Sequence, residues 1–180
     1  MAVFIRKSGV ITNRDASPPL PSDLRTAGRN FMKRARVLTV TADSIASMYG
    51  FFTLPANAVV VSCLLSNAAL SASTTVDIGL WETPLRGGFS STTGWLTLAG
   101  GVTGADQFFG DAVAMTNAAT KAEQIFANTN FYTLLNADQM IWQVLGLAAD
   151  PQTEYDVVVV AEAAIVAGGT ILLEISYKMQ

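Results

Sequence analysis

What most constrains the fold of this chain is a two-residue rhythm that returns in short runs from residue 37 onward. In "VLTVTA", Leu38, Val40 and Ala42 alternate with Thr39 and Thr41. In "NAVVVSCLLSN", Val59, Val61, Cys63 and Leu65 form one apolar row, with Ser62 and Ser66 marking the other. "TTVDIGLWE" places Val76, Ile78 and Leu80 on one side and Thr75, Asp77, Gly79 and Trp81 on the opposite side. Successive side chains of an extended chain leave opposite faces, so each run predicts a half-buried strand, and its β-branched residues suit a pleated surface.

The C-terminal "TEYDVVVVAEAAIVAGGTILLEISYKM" reads as a hairpin, with Ile171, Leu173, Ile175 and Tyr177 alternating with Thr170, Leu172, Glu174, Ser176 and Lys178. A two-residue turn at Gly168-Gly169 would set Glu162 against Ile175 on the buried face, whereas a three-residue loop, 167 to 169, sets it against Glu174 outside. A buried, unpaired carboxylate costs more than two exposed like charges, so the three-residue loop is expected. Helical signals are few. Short turns are expected at "DAVAM", at "ADQMIWQVLGL", where Met140, Ile141, Val144, Leu145 and Leu147 share a face before Gly146 and Asp150-Pro151, and around "PSDLRTAGRNFM" with Ser22 or Asp23 as cap. Residues 84–104 hold six of the fourteen glycines and read as a long polar excursion with one short strand at "GWLTL". Six to eight strands with turn signals and little helix indicate an all-β protein, an antiparallel β-sandwich of jelly-roll type.

Length allows one sizeable core plus an appendage, and charge marks the appendage. Of eleven basic residues, eight (Arg6, Lys7, Arg14, Arg25, Arg29, Lys33, Arg34 and Arg36) precede residue 37, opposed there only by Asp15 and Asp23. The first 36 residues therefore carry +6 and the rest −9, within a net −3. With Pro18, Pro19, Pro21, Gly9 and Gly28 and no sustained apolar period, residues 1–36 read as an extended basic arm and residues 37–180 as the sandwich domain. An acidic body would repel nucleic acid, so an acidic protein surface, including another copy of the chain, suits the arm better than a polyanion does.

Chemistry is hard to build from this composition. There are no histidines, which removes the commonest general base and metal ligand, and one cysteine, Cys63, cannot form an intrachain disulfide or a thiolate zinc site. Cys63 lies in an apolar run and reads as a core thiol. "AGGVTG" and "AGGT" lack the Gly-Lys-Ser/Thr ending of a phosphate loop. Asp106 with Asp111, and Glu154 with Asp156, match neither a calcium loop nor a defined acid–base pair, and the second set reads as a solvated strand edge. No enzyme, metal or cofactor is expected. No apolar segment with a small-residue cleavage site stands near the N-terminus, so synthesis in the cytoplasm is expected. The uncharged stretch between Asp43 and Asp77 is cut by Pro55 and Asn57 and interrupted by Ser and Thr, which predicts strands rather than a membrane span. Trp81, Trp95 and Trp142 are the candidates for an aromatic surface that could meet a sugar or a protein.

"MAVFIRKSGVITNRDASP", "TADSIASMYGFFTLPANAVVV", "VDIGLWETPLRGG", "ADQFFGDAVAM" and "IWQVLGLAADPQTEYDVVV", in this order, resemble a group of small virion structural proteins of tailed bacteriophages, similar to head decoration or cement proteins. The resemblance implies a β-sandwich on the outer surface of the capsid that braces neighbouring major capsid subunits, assembles as a dimer or trimer, and does no chemistry. It implies an interface through Arg6, Lys7, Arg14, Arg25, Arg29, Lys33, Arg34 and Arg36, with Trp81 and Trp95 as aromatic contacts. The alternative it leaves is a tail, neck or head-fibre protein whose sandwich binds a host glycan.

Overall fold

The computed structural model describes residues 5–7, 30–70, 73–84, 89–90, 94–124, 131, 133 and 136–179. The helical turn expected around Ser22 and Asp23 lies outside them, as do Arg14, Arg25 and Arg29. The strands in chain order are β1 (Ile5–Lys7), β2 (Asn30–Thr39), β3 (Met48–Pro55), β4 (Ala58–Asn67), β5 (Thr75–Glu82), β6 (Phe89–Ser90), β7 (Gly94–Trp95), β8 (Gly110–Ala114), β9 (Ala119–Glu123), β10 (Glu154–Ala161) and β11 (Gly169–Met179). Among the described residues, a short α-helix, α1 (Ile141–Val144), lies where the apolar face around Ile141 and Leu145 predicts it, and Gly146 follows at φ 73°.

Two sheets face each other, one ordered β1-β3-β10-β5-β8 and the other β2-β11-β4-β9. Their logic is a nested ribbon. β5 pairs with β8, β4 with β9, β3 with β10 and β2 with β11, all antiparallel, so the chain doubles back on itself around residues 83–109. Rolling that ribbon makes β10 a neighbour of β5 and β11 a neighbour of β4, and the result is the expected jelly roll. β1 stands outside this scheme and runs parallel to β3.

The C-terminal hairpin is corrected by this topology. β10 and β11 lie in different sheets, so Glu162 and Glu174 never face one another. Glu174 stands opposite Arg34 on β2 and Leu64 on β4 instead. "DAVAM" is also corrected: it forms β8 rather than a helical turn, because its place beside β5 supplies a ladder that the five residues could not find alone.

β2 begins at Asn30, within the segment expected as arm. The basic stretch hides a strand: Phe31, Lys33, Ala35, Val37 and Thr39 turn inward, and Met32, Arg34, Arg36 and Leu38 turn outward. Lys33 is thus no surface cation, because its Nζ donates to the Thr53 carbonyl of β3 at 3.0 Å. An inward-pointing lysine on an edge strand also discourages unwanted pairing there.

Two bulges reset the sequence rhythm. On β3, Phe51 is the extra residue between the pairs Val157↔Phe52 and Val158↔Gly50, and Tyr49, Phe51, Phe52 and Leu54 all reach the core. On β4, Val61 is extra between Ser176↔Ser62 and Tyr177↔Val60, which turns Val61 out and Val60 in. The expected row of Val59, Val61, Cys63 and Leu65 therefore breaks at Val61. The expected face Val76, Ile78 and Leu80 is fully buried, against Val157 and Val159 of β10 and Ile171, Leu173 and Ile175 of β11 in one core.

Candidate interaction surface

The outer faces of the two sheets decide what the molecule can offer a partner. Over the sheet containing β3, β10 and β5, residues 94–107 fold back as a cover. Glu82 donates its backbone N–H to the Thr97 carbonyl at 2.9 Å, Trp81 bridges to Leu98, and the Glu82 carboxylate accepts the Gly100 N–H at 2.9 Å. Gly79 is where the cover comes closest: a Cβ there would lie 2.2 Å from the backbone carbonyl of Asp106. Only a residue without a side chain permits that approach.

Trp95, itself part of this cover, is 3 % exposed, packed with Met48 and Val158 and flanked by Trp81 and Val160. Its indole Nε1 donates to Asp156 Oδ2 at 2.6 Å. Trp95 is consequently an internal residue and not the interface contact expected of it, and Trp81 is half-buried against it. Asp156 is corrected as well, since it is wholly buried on a central strand rather than on a solvated edge. Trp142 is also half-buried, packed on the main core. None of the three indoles forms an open platform of the kind a sugar would stack on.

The opposite sheet has no such cover among the described residues. Met32 and Leu38 on β2 are 63 % and 62 % exposed, with Val61 of β4 exposed on the same molecule. Between Met32 and Leu38 stand Arg34 and Arg36, both exposed. Glu174 of β11, nearly buried, receives Arg34 Nε at 3.8 Å and Lys121 Nζ at 3.7 Å. Lys121 reaches it from a bulge in β9, where its φ is 52° and its N–H donates to Ser66 Oγ at 2.9 Å. The face is thus apolar and cationic along its β2 edge, a composition that suits a partner presenting carboxylates and apolar groups together.

A matching bulge in β8 builds the acidic counterpart. Ala112 takes φ 50° and donates its N–H to Asp77 Oδ1 at 3.0 Å, with Gln107 Nε2 at 3.4 Å from Oδ2. Asp77, Asp111 and Glu162 thereby bring carboxylate oxygens within 4.8 Å of one another, oxygen donors of the type that hard divalent cations accept. Burial raises the Asp77 carboxyl above its ordinary value, the Ala112 N–H opposes that rise, and the negative charges of Glu162 and Asp111 add to it. Burial likewise pushes the Cys63 thiol well up, with the nearby Glu123 carboxylate reinforcing it, in keeping with an inert core cysteine. Spacing alone signalled none of these three carboxylates; the β5–β8 ladder brings Asp111 to Asp77, and the β10–β5 pairing brings Glu162 beside them.

Of the other basic residues singled out by sequence, Arg6 and Lys7 belong to β1, whose backbone runs along β3 at Tyr49 and Gly50. No helix among the described residues is long and apolar enough to cross a membrane. No protein-family model matches the chain, and no curated protein sequence matches it. Among solved structures, the chain is similar to one in the capsid of Ralstonia phage GP4, with a TM-score of 0.62 and 16 % identity over 98 % of both chains. A chain of the cyanophage Pam1 capsid asymmetric unit gives a TM-score of 0.48 and 12 % identity over 88 % of this chain and 94 % of that one. The first likeness is one of fold, and it extends from end to end of the sandwich.

Proposed function

We propose that this chain is a non-enzymatic structural protein of a tailed-bacteriophage virion, a decoration or cement protein on the outer lattice of the major capsid protein. The observation that carries the reading is the end-to-end fold likeness to a chain in the capsid of Ralstonia phage GP4, at 98 % coverage of both chains. The sheet face bearing Met32, Arg34, Arg36 and Leu38 supports it, because it offers a partner exposed apolar and cationic side chains together. Attachment uses this face together with the basic residues Arg6, Lys7, Arg14, Arg25 and Arg29 of the N-terminal segment. Five cations against Asp15 and Asp23 leave residues 1–29 at +3, suited to acidic capsid subunits or to the acidic body of the next copy. Repetition over a lattice then multiplies weak contacts into avidity.

Imaging of intact particles with density assigned to this chain tests the proposal. A copy number of about the order of the capsid subunits, with the β2 face against them, is expected. Removal of residues 1–29 lowers occupancy by an order of magnitude or more. A dozen copies or fewer, at a vertex or tail, would overturn the lattice assignment in favour of the tail, neck or head-fibre reading. The buried state of Trp95 and half-burial of Trp81 and Trp142 weigh against the glycan-binding form of that alternative.

A further inference from the structure

β1 differs from every other strand of the sandwich. It has three residues, it is the one parallel pairing among the described residues, and it lies outside the nested ribbon that accounts for the other eight long strands. What it does is close an edge. β3 is buried along its full length, and its outer edge is managed in two places: by β1 at Met48, Tyr49 and Gly50, and by Lys33 Nζ at the Thr53 carbonyl. An uncovered edge there would present open N–H and C=O groups that template pairing with another strand.

The tether to β1 is far longer than its own molecule requires. Because β1 is parallel to β3, the chain leaving Lys7 heads toward Pro55, and it re-enters at Asn30, which pairs with Lys178 beside Val59 at that same end of the sandwich. From Gly50 to Pro55 is roughly 17 Å along a strand, and facing sheets lie roughly 10 Å apart, so six to eight extended residues or so would make the connection. Residues 8–29 supply 22. Fully extended they span up to about 75 Å, several times the need and more than the diameter of a domain this size.

From the surplus tether, the edge that needs a strand and the opposite charges of arm and body, we infer that β1 is an exchangeable strand: Ile5–Lys7 of one copy pairs with the Met48–Gly50 edge of a second copy. The exchanged contact is identical to the internal one, so neither sandwich has to change. Doubling a loop's length costs little in closure entropy, so a connection of 22 residues holds its own strand at an effective concentration of only about millimolar. Neighbours held on a lattice compete at that level. The +3 of residues 1–29 against −6 for the remainder draws the segment to a foreign body as readily as to its own. The inference rests on the reading of residues 1–29 as an attachment segment and not on the identity of the lattice.

Ile5 stands opposite Met48, which gives a direct test. Full-length Ile5→Cys and Met48→Cys chains are mixed and oxidised at about 10 μM and at about 1 mM, the range that brackets the tether's effective concentration. A disulfide-linked dimer containing one chain of each kind is expected, several-fold more abundant at the higher concentration and absent when either variant is mixed with wild type. The native Cys63 is buried and serves as the silent background. If the double variant Ile5→Cys/Met48→Cys links within itself while the mixture yields no dimer at about 1 mM, exchange is refuted; no link in either sample refutes the pairing and the exchange together. Should a cysteine variant fail to fold, sedimentation of the native chain against one lacking residues 1–7 decides. Association lost with the strand supports exchange, and equal association overturns it. Cross-linked dimers from a chain that does not occupy capsids would sink the decoration reading and leave exchange standing.

Discussion

On the sheet containing β3, β10 and β5 the outer face is closed, with residues 94–107 laid over Gly79 and Trp95 tied to Asp156. On the sheet containing β2, β11 and β4 the outer face carries exposed Met32 and Leu38 with Arg34 between them. The two sheets share one core, yet their strands are written differently for this reason. β10 affords a run of four valines because both of its faces are covered, Val157 and Val159 by the core and Val158 by Trp95 and Met48. β2 alternates exposed Met32, Arg34, Arg36 and Leu38 with inward Lys33, Ala35 and Val37 because, among the described residues, only one of its faces is covered. A closed face supplies stability, whereas the proposed contact lies on the open one, so substitutions on the two should fail in different assays.

The largest expected effect is on the closed face. Gly79→Ala drives a methyl group into the Asp106 backbone and should cost about 3 kcal/mol, the upper part of the usual range for overpacking, with displacement of the cover. Thermal unfolding together with a red shift of tryptophan emission checks it; unchanged stability would mean that the cover is not seated on β5. Trp95→Phe keeps an aromatic side chain but loses the indole Nε1–H that donates to Asp156, and with it part of the packing, at a cost of about 2 kcal/mol. Denaturant titration measures that loss, and Asp156→Asn combined with Trp95→Phe should recover part of it.

A smaller effect with a defined sign comes from the acidic group beneath the β8 bulge. The folded state raises the Asp77 pKa, so it holds that proton more tightly than the unfolded chain does. The penalty is absent below the ordinary carboxylate value and complete above the raised one, so stability falls as pH rises through that window. Glu162→Gln removes one contributor to the rise and should stabilise by a few tenths of a kcal/mol at neutral pH, a gain that shrinks in acid. Melting curves at several pH values resolve it. Smallest of all for stability is the open face: Met32→Ser with Leu38→Ser should stay within about 0.5 kcal/mol of wild type. On the proposed attachment through this face the pair lowers occupancy on particles, and a pair that melted the protein instead would erase the contrast between the faces.

Strand positions were legible wherever local alternation was clean. Val76, Ile78 and Leu80 face the core as their spacing predicts, and the apolar face at Ile141 and Leu145 forms its helical turn. Legibility failed where a residue's role depends on something distant. Basic residues concealed β2, since Lys33 reads as arm until the Thr53 carbonyl stands in front of it. The Gly168-Gly169 sequence suggested a hairpin, but β2 outcompeted β10 for the ladder with β11 across more than a hundred residues. Trp81 and Trp95 looked available because nothing local indicates that residues 94–107 fold back onto the sheet and pack Trp95 against Trp81. The Asp77, Asp111 and Glu162 group depends on the same kind of return, through β8.

By itself the amino-acid order determined that this chain would be an all-β sandwich with a basic N-terminal segment and no histidine-dependent chemistry. Period-two patterning acts between adjacent residues, charge and composition need no geometry, and the absence of histidine holds in any fold. Tertiary structure alone decided which strands became neighbours, where Phe51 and Val61 shifted the rhythm, and which sheet face was left open. Those outcomes follow from pairings between remote segments, where the backbone hydrogen bonds are the same for every partner and only the closing of the whole core selects among them.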